Sequence, residues 1–450
     1  MNDITAIFAF LKYCLGYKRN MSRMIAGMDW QELYSFASKQ ALLGLSFEGI
    51  ERLGKEYSEE LRLNPIGREL LMTWMGKAQQ IRRQNMKVNA VAGKLFSMLR
   101  EDGLRCCILK GQGNALMYPN PYSRTPGDID VWIDASRERI MEYTQKKFEL
   151  GDDIRLQHLE TSLDGVPVEL HFFPCSMNNP IYHARLQKWF RRNADLQCSH
   201  IVGLPDGAGD IAIPTTAFNV VYQLTHLYHH FFDEGIGMRQ IIDYYYVVCD
   251  FYKVYQNSSK ITPSLFTIKE GSTSHPDPLT LRGEGGNRPT RCSEPLRAKD
   301  GGPSKVSPDC AGWDRLSIEG DNSAGSTTVV TSYASTALDV AQRELKYLGL
   351  WKFAGAVMYV LKEVLGLSED KMIVPVDEKR GRLLLAEILD GGNFGRHFSK
   401  YGGFTHQSMG KKYFLKIWRN MHFVRYYPAE ALCEPLFRTW HFFWRLKYKK

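Results

Sequence analysis

The chain has 450 residues, 44% of them hydrophobic, and 58 lysines and arginines against 49 acidic residues give a formal charge of +9. That length and apolar content predict a globular protein with more than one structural unit, and the modest basic excess favours a polyanionic partner without choosing among nucleotide, nucleic acid and membrane surface. Nine cysteines with no CxxC pair and no regular spacing argue against a cysteine zinc site or a disulfide framework, and a reducing, cytoplasmic setting fits them best.

The opening run Ile4 to Leu15 is apolar but broken by Lys12, and it has neither a basic n-region nor a small-residue cleavage site. It reads as an amphipathic helix rather than a leader. No stretch approaches the ~20 uninterrupted apolar residues of a spanning helix, so no transmembrane segment is expected. Trp30, Leu33, Tyr34 and Ala37, then Leu70, Leu71, Trp74 and Met75, recur at helical spacing and predict a helical region over 1–99.

The pattern changes over 100–213. Cys106 to Leu109 and Ile129 to Ile133 are short apolar runs, and Asp153 to Leu159 and Val166 to Phe172 flank Asp164–Gly165, a hairpin signal. With helices at Asn114 to Met117 and Ser136 to Phe148, this section reads as a small mixed α/β core. Helical spacing returns over 214–256, where Pro214 and two threonines precede a face of Phe218, Val221, Leu224, Thr225 and Tyr228. From 257 to 336 Ser, Gly, Thr and Pro dominate, the composition of a disordered insertion that splits the helical region. Periodicity resumes over 337–450. The fold class is therefore α+β, a small mixed sheet flanked by N-terminal and C-terminal helical regions.

The chemically informative stretch is Leu109 to Asp134, LKGQGNALMYPNPYSRTPGDIDVWID. Side chains alternate along a strand, so Asp128 and Asp130 share one face while Ile129 and Val131 enter the core. Like charges about 4 Å apart repel by roughly 4 kcal/mol at an effective dielectric of 20, so the pair needs a proton or a cation. Mg²⁺, with Mn²⁺ as an alternative, suits two carboxylates completed by phosphates and water. Lys110, Gly111 and Gly113 precede a helix, where a turn can bring backbone N–H groups against a triphosphate. Lys110 and Arg124 are candidate phosphate contacts, with a surface charge or an aspartate partner as the competing use. Glu169, between apolar Val168 and Leu170, is the candidate third carboxylate, as metal ligand or general base. His171 lies on the same face and is a candidate nucleotide contact.

These residues carry a resemblance. Strand, glycine turn and spaced acidic pair resemble the nucleotidyltransferase superfamily typified by DNA polymerase beta. The closer similarity is to a bacterial family of uncharacterised nucleotidyltransferases, through Leu109 to Gly111, Tyr118–Pro119, Arg124 and Gly127 to Asp130, then VELH at 168–171, His226 to His230, GIGMRQIIDYY at 235–245 and PAEALCEPLFRTWHFFWR. The resemblance implies a nucleotidyltransferase core at 100–213 and metal-dependent transfer from a nucleoside triphosphate to an acceptor hydroxyl that it leaves unspecified: small molecule, sugar, RNA or protein. The turn departs from the superfamily's Gly-Gly or Gly-Ser pair, reading Gly111, Gln112, Gly113. That departure keeps open an alternative, an impaired nucleotide-binding or interaction module with the same fold.

His226, His229 and His230 stand at i, i+3, i+4, a helix face that lines a substrate cleft or simply packs; Leu227 where a zinc protease needs Glu excludes that signature. Arg239 and Asp243 read as a helix-surface pair. The basic, aromatic run Arg438 to Lys450 fits a nucleic-acid platform, an anionic surface contact, or a final helix burying its aromatic face.

Overall fold

A computed structural model describes residues 3–148, 155–257, 326–398 and 408–448. Residues 1–259 and 330–450 form one compact unit, and 260–329 a second that falls almost wholly outside the described residues. Most of the insertion expected at 257–336 therefore lies outside them too; a helix enters its far end at Ser326.

The N-terminal region is helical throughout: α1 (Asp3–Cys14), α2 (Ser22–Ala26), α3 (Trp30–Lys39), α4 (Leu43–Glu56), α5 (Ser58–Leu63) and the 34-residue α6 (Arg68–Glu101). Asp29 caps α3 by accepting the amides of Gln31 and Glu32. The second half of α6 buries Val88, Val91, Ala92, Leu95, Phe96 and Leu99, and a Cβ at Gly93 would stand 2.1 Å from the Ala208 carbonyl oxygen, so only glycine allows that close approach.

Strands β1 (Cys106–Leu109), β2 (Ile129–Ile133), β3 (His158–Leu163) and β4 (Val166–His171) form a sheet in the order β1-β2-β4-β3. β2 and β4 are parallel, the other pairs antiparallel. The β3–β4 turn is Asp164–Gly165 with φ of +50° and +70°, the two positive values that a tight hairpin requires. β3 starts at His158, later than the run from Asp153 predicted, and reaches the turn directly. α7 (Gly111–Ala115) joins β1 to β2, and α8 (Arg137–Lys147) follows β2, capped by Ser136. After α9 (Pro180–Ser199), β5 (Ile201–Gly203) and β6 (Asp210–Ala212) pair as a small ribbon.

α10 (Thr216–Asp233) and α11 (Met238–Asn257) are buried over their inner lengths, polar side chains such as Asn219, Gln223, Arg239 and Asp243 included. The periodic stretch resuming at 337 forms α12 (Ser326–Tyr347) and α13 (Trp351–Glu363), with the helix interrupted at Gly349, whose φ is +73°. α14 (Glu378–Gly391), α15 (Met409–Met421), α16 (Pro428–Ala431) and α17 (Glu434–Tyr448) complete the unit.

Alternation gives the four-stranded sheet two working faces. Cys106, Ile108, Ile129, Val131, Ile133, Val168 and Leu170 pack with α6 and α8, whereas Cys107, Leu109 and Trp132 join the larger core with α9, α10 and α11. Asp130, Glu169 and His171 belong to that second face. They are thus presented to the helical regions, which is why Asp130 and His171 are as buried as their apolar neighbours.

Candidate active site

Strand register builds the acidic centre. Asp130 lies opposite Leu109 on one side and Glu169 on the other, and Asp128 sits just ahead of β2. Ligand oxygens of Asp128, Asp130 and Glu169 all lie within 4.8 Å of one another. Lys110, at the end of β1, adopts φ +53°, uncommon for a residue with a Cβ, and its Nζ stands 2.9 Å from Asp130 Oδ1. His171 Nε2 is 3.0 Å from Asp130 Oδ1 and 3.1 Å from Glu169 Oε2. Its Nδ1 faces the Gln157 amide nitrogen at 3.2 Å; that nitrogen also donates to the Pro174 carbonyl at 3.1 Å, while Ser176 Oγ donates to Gln157 Oε1 at 3.3 Å. With the amide so pinned, Nδ1 accepts and Nε2–H donates between the two carboxylates. One oxygen of each carboxylate is thereby anchored.

The charges do not balance. The neighbouring charge of Asp130, with burial, pushes the Asp128 carboxyl up to about 7. Burial opposes ionisation of Asp130, but Lys110 and His171 outweigh it and hold this carboxyl well below the usual range. Glu169 is likewise lowered, burial being outweighed by the hydrogen bond from His171. Burial resists a charge on His171, yet the two carboxylates push its pKa up to about 9; the Gln157 donor facing Nδ1 works against that second proton, and the neutral Nε2–H form is the one the hydrogen-bond geometry favours. Three carboxylates therefore share one ammonium and one imidazole. The hard oxygen donors and the unrelieved charge on Asp128 fit a divalent cation.

The centre opens into a cleft of about 570 Å³. A family model described as uncharacterised nucleotidyltransferase matches residues 26–255, just over half of the chain and all of the acidic centre. The chain belongs to this nucleotidyltransferase family. No curated protein and no solved structure matches it. The match ends at Tyr255 and leaves out the C-terminal PAEALCEPLFRTWHFFWR, although α15 and α17 help to enclose the nucleotidyltransferase cleft.

Of the residues singled out in the sequence, Lys110, Asp128, Asp130, Glu169 and His171 line the cleft, as do His226, His229 and His230. His171 reaches it from a buried position in which both ring nitrogens are engaged by protein. Arg124 is elsewhere. Its guanidinium is buried and bidentate on Asp243, 2.8 Å in both bonds, and Tyr118 donates to the same carboxylate at 2.7 Å. The expected helix-surface pair of Arg239 and Asp243 gives way to this buried one, and Arg239 donates instead to the Thr125 carbonyl at 3.0 Å.

Gly111 and Gly113 are not among the cleft-lining residues. A Cβ at Gly113 would stand 3.0 Å from Ile213 Cγ2, so this glycine serves packing, and Gln112 and Asn114 are buried in side-chain hydrogen bonds to Asn89 and to Asn219 and Gln223. Sequence reasoning missed Gln157, His158, Arg155, Asp233 and Lys416 at the cleft, and named Arg438 only as the start of the C-terminal basic run. Asp233, at the end of α10, takes Lys416 at 3.2 Å and Arg438 at 3.0 Å, which ties α15 and α17 across it. No local spacing signals pairs 183 and 205 residues apart. The outward side of α17 leaves Leu436, Trp440 and Phe443 exposed, while Arg438 and His441 turn to the cleft.

Proposed function

We propose that this protein transfers a nucleoside monophosphate from a nucleoside triphosphate to an acceptor hydroxyl, with release of pyrophosphate. The observation that carries the reading is the convergence of Asp128, Asp130 and Glu169 within 4.8 Å of one another in the lining of a cleft, three carboxyls set against Lys110 and His171. Asp128, Asp130 and Glu169 would hold Mg²⁺ or Mn²⁺, which when bound neutralises developing charge on the phosphates. Lys110 and His171 fix one oxygen of Asp130, and His171 one of Glu169, so the other oxygens stay oriented toward the cleft. Rotamers locked in this way supply positioning, the main demand of phosphoryl transfer on a protein. Glu169 would complete the set as a metal ligand or as the general base that takes the acceptor proton.

We extend the proposal to the polymerase beta-like superfamily, on the order of β1, a short helix, the spaced acids of β2 and the third acid of β4. His226, His229 and His230 offer ring edges and faces to the nucleotide or the acceptor. The reducing cytoplasm suits a chain whose seven described cysteines are all unbridged, and among the described residues no helix is long and apolar enough to cross a membrane.

A second reading, nucleotide binding without transfer, rests on the Gly111–Gln112–Gly113 turn, whose glycines pack rather than line the cleft. The deciding experiment follows pyrophosphate release and label transfer from each of the four α-labelled ribonucleoside triphosphates, with Mg²⁺ or Mn²⁺ and a cell extract as acceptor source. Label moving to a small-molecule, RNA or protein fraction with wild type and not with Asp128→Asn supports transfer and identifies the acceptor class. Nucleotide retained without any pyrophosphate release overturns transfer in favour of the binding module.

A further inference from the structure

Behind Glu169, on the side away from Asp128, stands a histidine that the proposed reaction does not use. His158 opens β3 directly opposite His171 of β4, and the two rings lie 4.9 Å apart. Its side chain is 9% exposed, and neither ring nitrogen has a hydrogen-bond partner among the described residues. Buried imidazole nitrogens ordinarily have partners, because an unsatisfied polar atom away from water costs about 1–3 kcal/mol. His158 Nε2 looks toward Glu160 Oε1 at 3.7 Å, and its Nδ1 faces a ligand set: it is 3.3 Å from Glu169 Oε2, which in turn is 3.1 Å from His171 Nε2. Ligand atoms of His158, Glu169 and His171 all lie within 4.8 Å of one another.

We propose that His158, Glu169 and His171 form a second cation site, for a zinc-class transition-metal ion, whose occupation takes His171 and one oxygen of Glu169 from the acidic centre. The distances fit: a tetrahedral ion with ligands at ~2.0–2.2 Å separates neighbouring donors by about 3.3 Å, close to the two separations observed. The donor chemistry discriminates between the sites. Two imidazoles and one carboxylate suit zinc, cobalt or nickel, whereas Mg²⁺ takes oxygen ligands and prefers the Asp128 side. Three protein ligands leave a fourth position for water.

Binding through His171 Nε2 moves its proton to Nδ1 and requires the Gln157 amide to turn over and present its oxygen there. The hydrogen bonds that Asp130 and Glu169 now receive from Nε2 are then lost. No sequence spacing announces it: the histidines are 13 positions apart and meet only because the hairpin register pairs them.

The test is Co²⁺ titration of the full chain, read by the intense visible absorption of tetrahedral cobalt and its displacement by Zn²⁺. Wild type should bind stoichiometrically. His158→Gln should weaken binding by at least about tenfold, since even residues that only orient a ligand contribute 10–100-fold. Glu169→Gln serves as the second variant and should lose the band as well. Asp128→Asn should keep it, because Asp128 is outside the set. Nine cysteines provide other places for cobalt, so a wild-type band unchanged in both folded His158→Gln and Glu169→Gln overturns the proposal, as does the absence of any tetrahedral band in wild type. Cobalt absorption is independent of transfer activity, so its failure is separable from failure of the nucleotidyl-transfer reading.

Discussion

Two buried aspartates of this protein meet cations in opposite ways. Asp243 faces the bidentate guanidinium of Arg124 and the hydroxyl of Tyr118, with Arg239 as a second nearby cation, and its negative charge is fully matched. Asp130 faces Lys110 and His171 but shares them with Asp128 and Glu169, and negative charge remains. Both carboxyls are held below their usual range, burial being outweighed by Arg124 at Asp243 and by Lys110 with His171 at Asp130. The perturbation alone therefore does not separate a structural aspartate from a functional one; the charge balance and the opening to a cleft are what support the role proposed for Asp130.

Breaking the balanced site should have the largest effect on folding. Arg124→Ala leaves Asp243 buried without its cation and is expected to cost ~3–5 kcal/mol of stability, read as a lowered urea midpoint; a loss of transfer with unchanged stability would place Arg124 in the reaction after all. At the unbalanced site the sign reverses. Asp128→Asn removes a repelled charge, so its melting temperature should equal or exceed that of wild type, while transfer falls by at least about 100-fold, some 2.7 kcal/mol in the barrier.

A third contrast concerns pH. Burial first, then nearby positive charge, pushes the His226 and His230 pKa values well below the ordinary histidine value. The unfolded chain then binds more protons than the folded one below about pH 6.5, so stability is fully present above that pH and declines as pH falls. Each such histidine contributes up to about 1.4 kcal/mol per pH unit. Chemical denaturation at pH 7.5, 6.5 and 5.5 checks the slope, and His226→Gln should flatten it. The smallest effect is expected at the glycine turn. Gly113→Ala presses on Ile213 and should cost about 1 kcal/mol; an unchanged KM for nucleoside triphosphate would confirm that the glycine packs rather than cradles phosphate.

The same pair of aspartates shows how far the sequence could be read. Asp128, Asp130 and Glu169 were legible because their chemistry is local: two acids one pleat apart, then an isolated acid between apolar strand residues. β1 and β2 end where the apolar runs end, and the Asp164–Gly165 turn specifies its hairpin through positive φ. Arg124 was placed at the phosphates because its proximity to the motif in sequence says nothing of direction; its partner is 119 positions away on α11. Lys416 and the pairing of Arg438 with Asp233 escaped notice for the same reason, as did Gln157 and His158, whose placement depends on which strand pairs with β4.

Composition and local periodicity determined the helical regions, the mixed sheet between them and the identity of the acidic residues, because propensity, alternation and turn chemistry act over a few neighbouring residues. Tertiary structure alone decided which charges are neutralised and which are left in excess. Ion pairing and desolvation depend on distances of a few ångströms between residues far apart in the chain, and only the packing of α10, α11, α15 and α17 over one face of the sheet sets those distances.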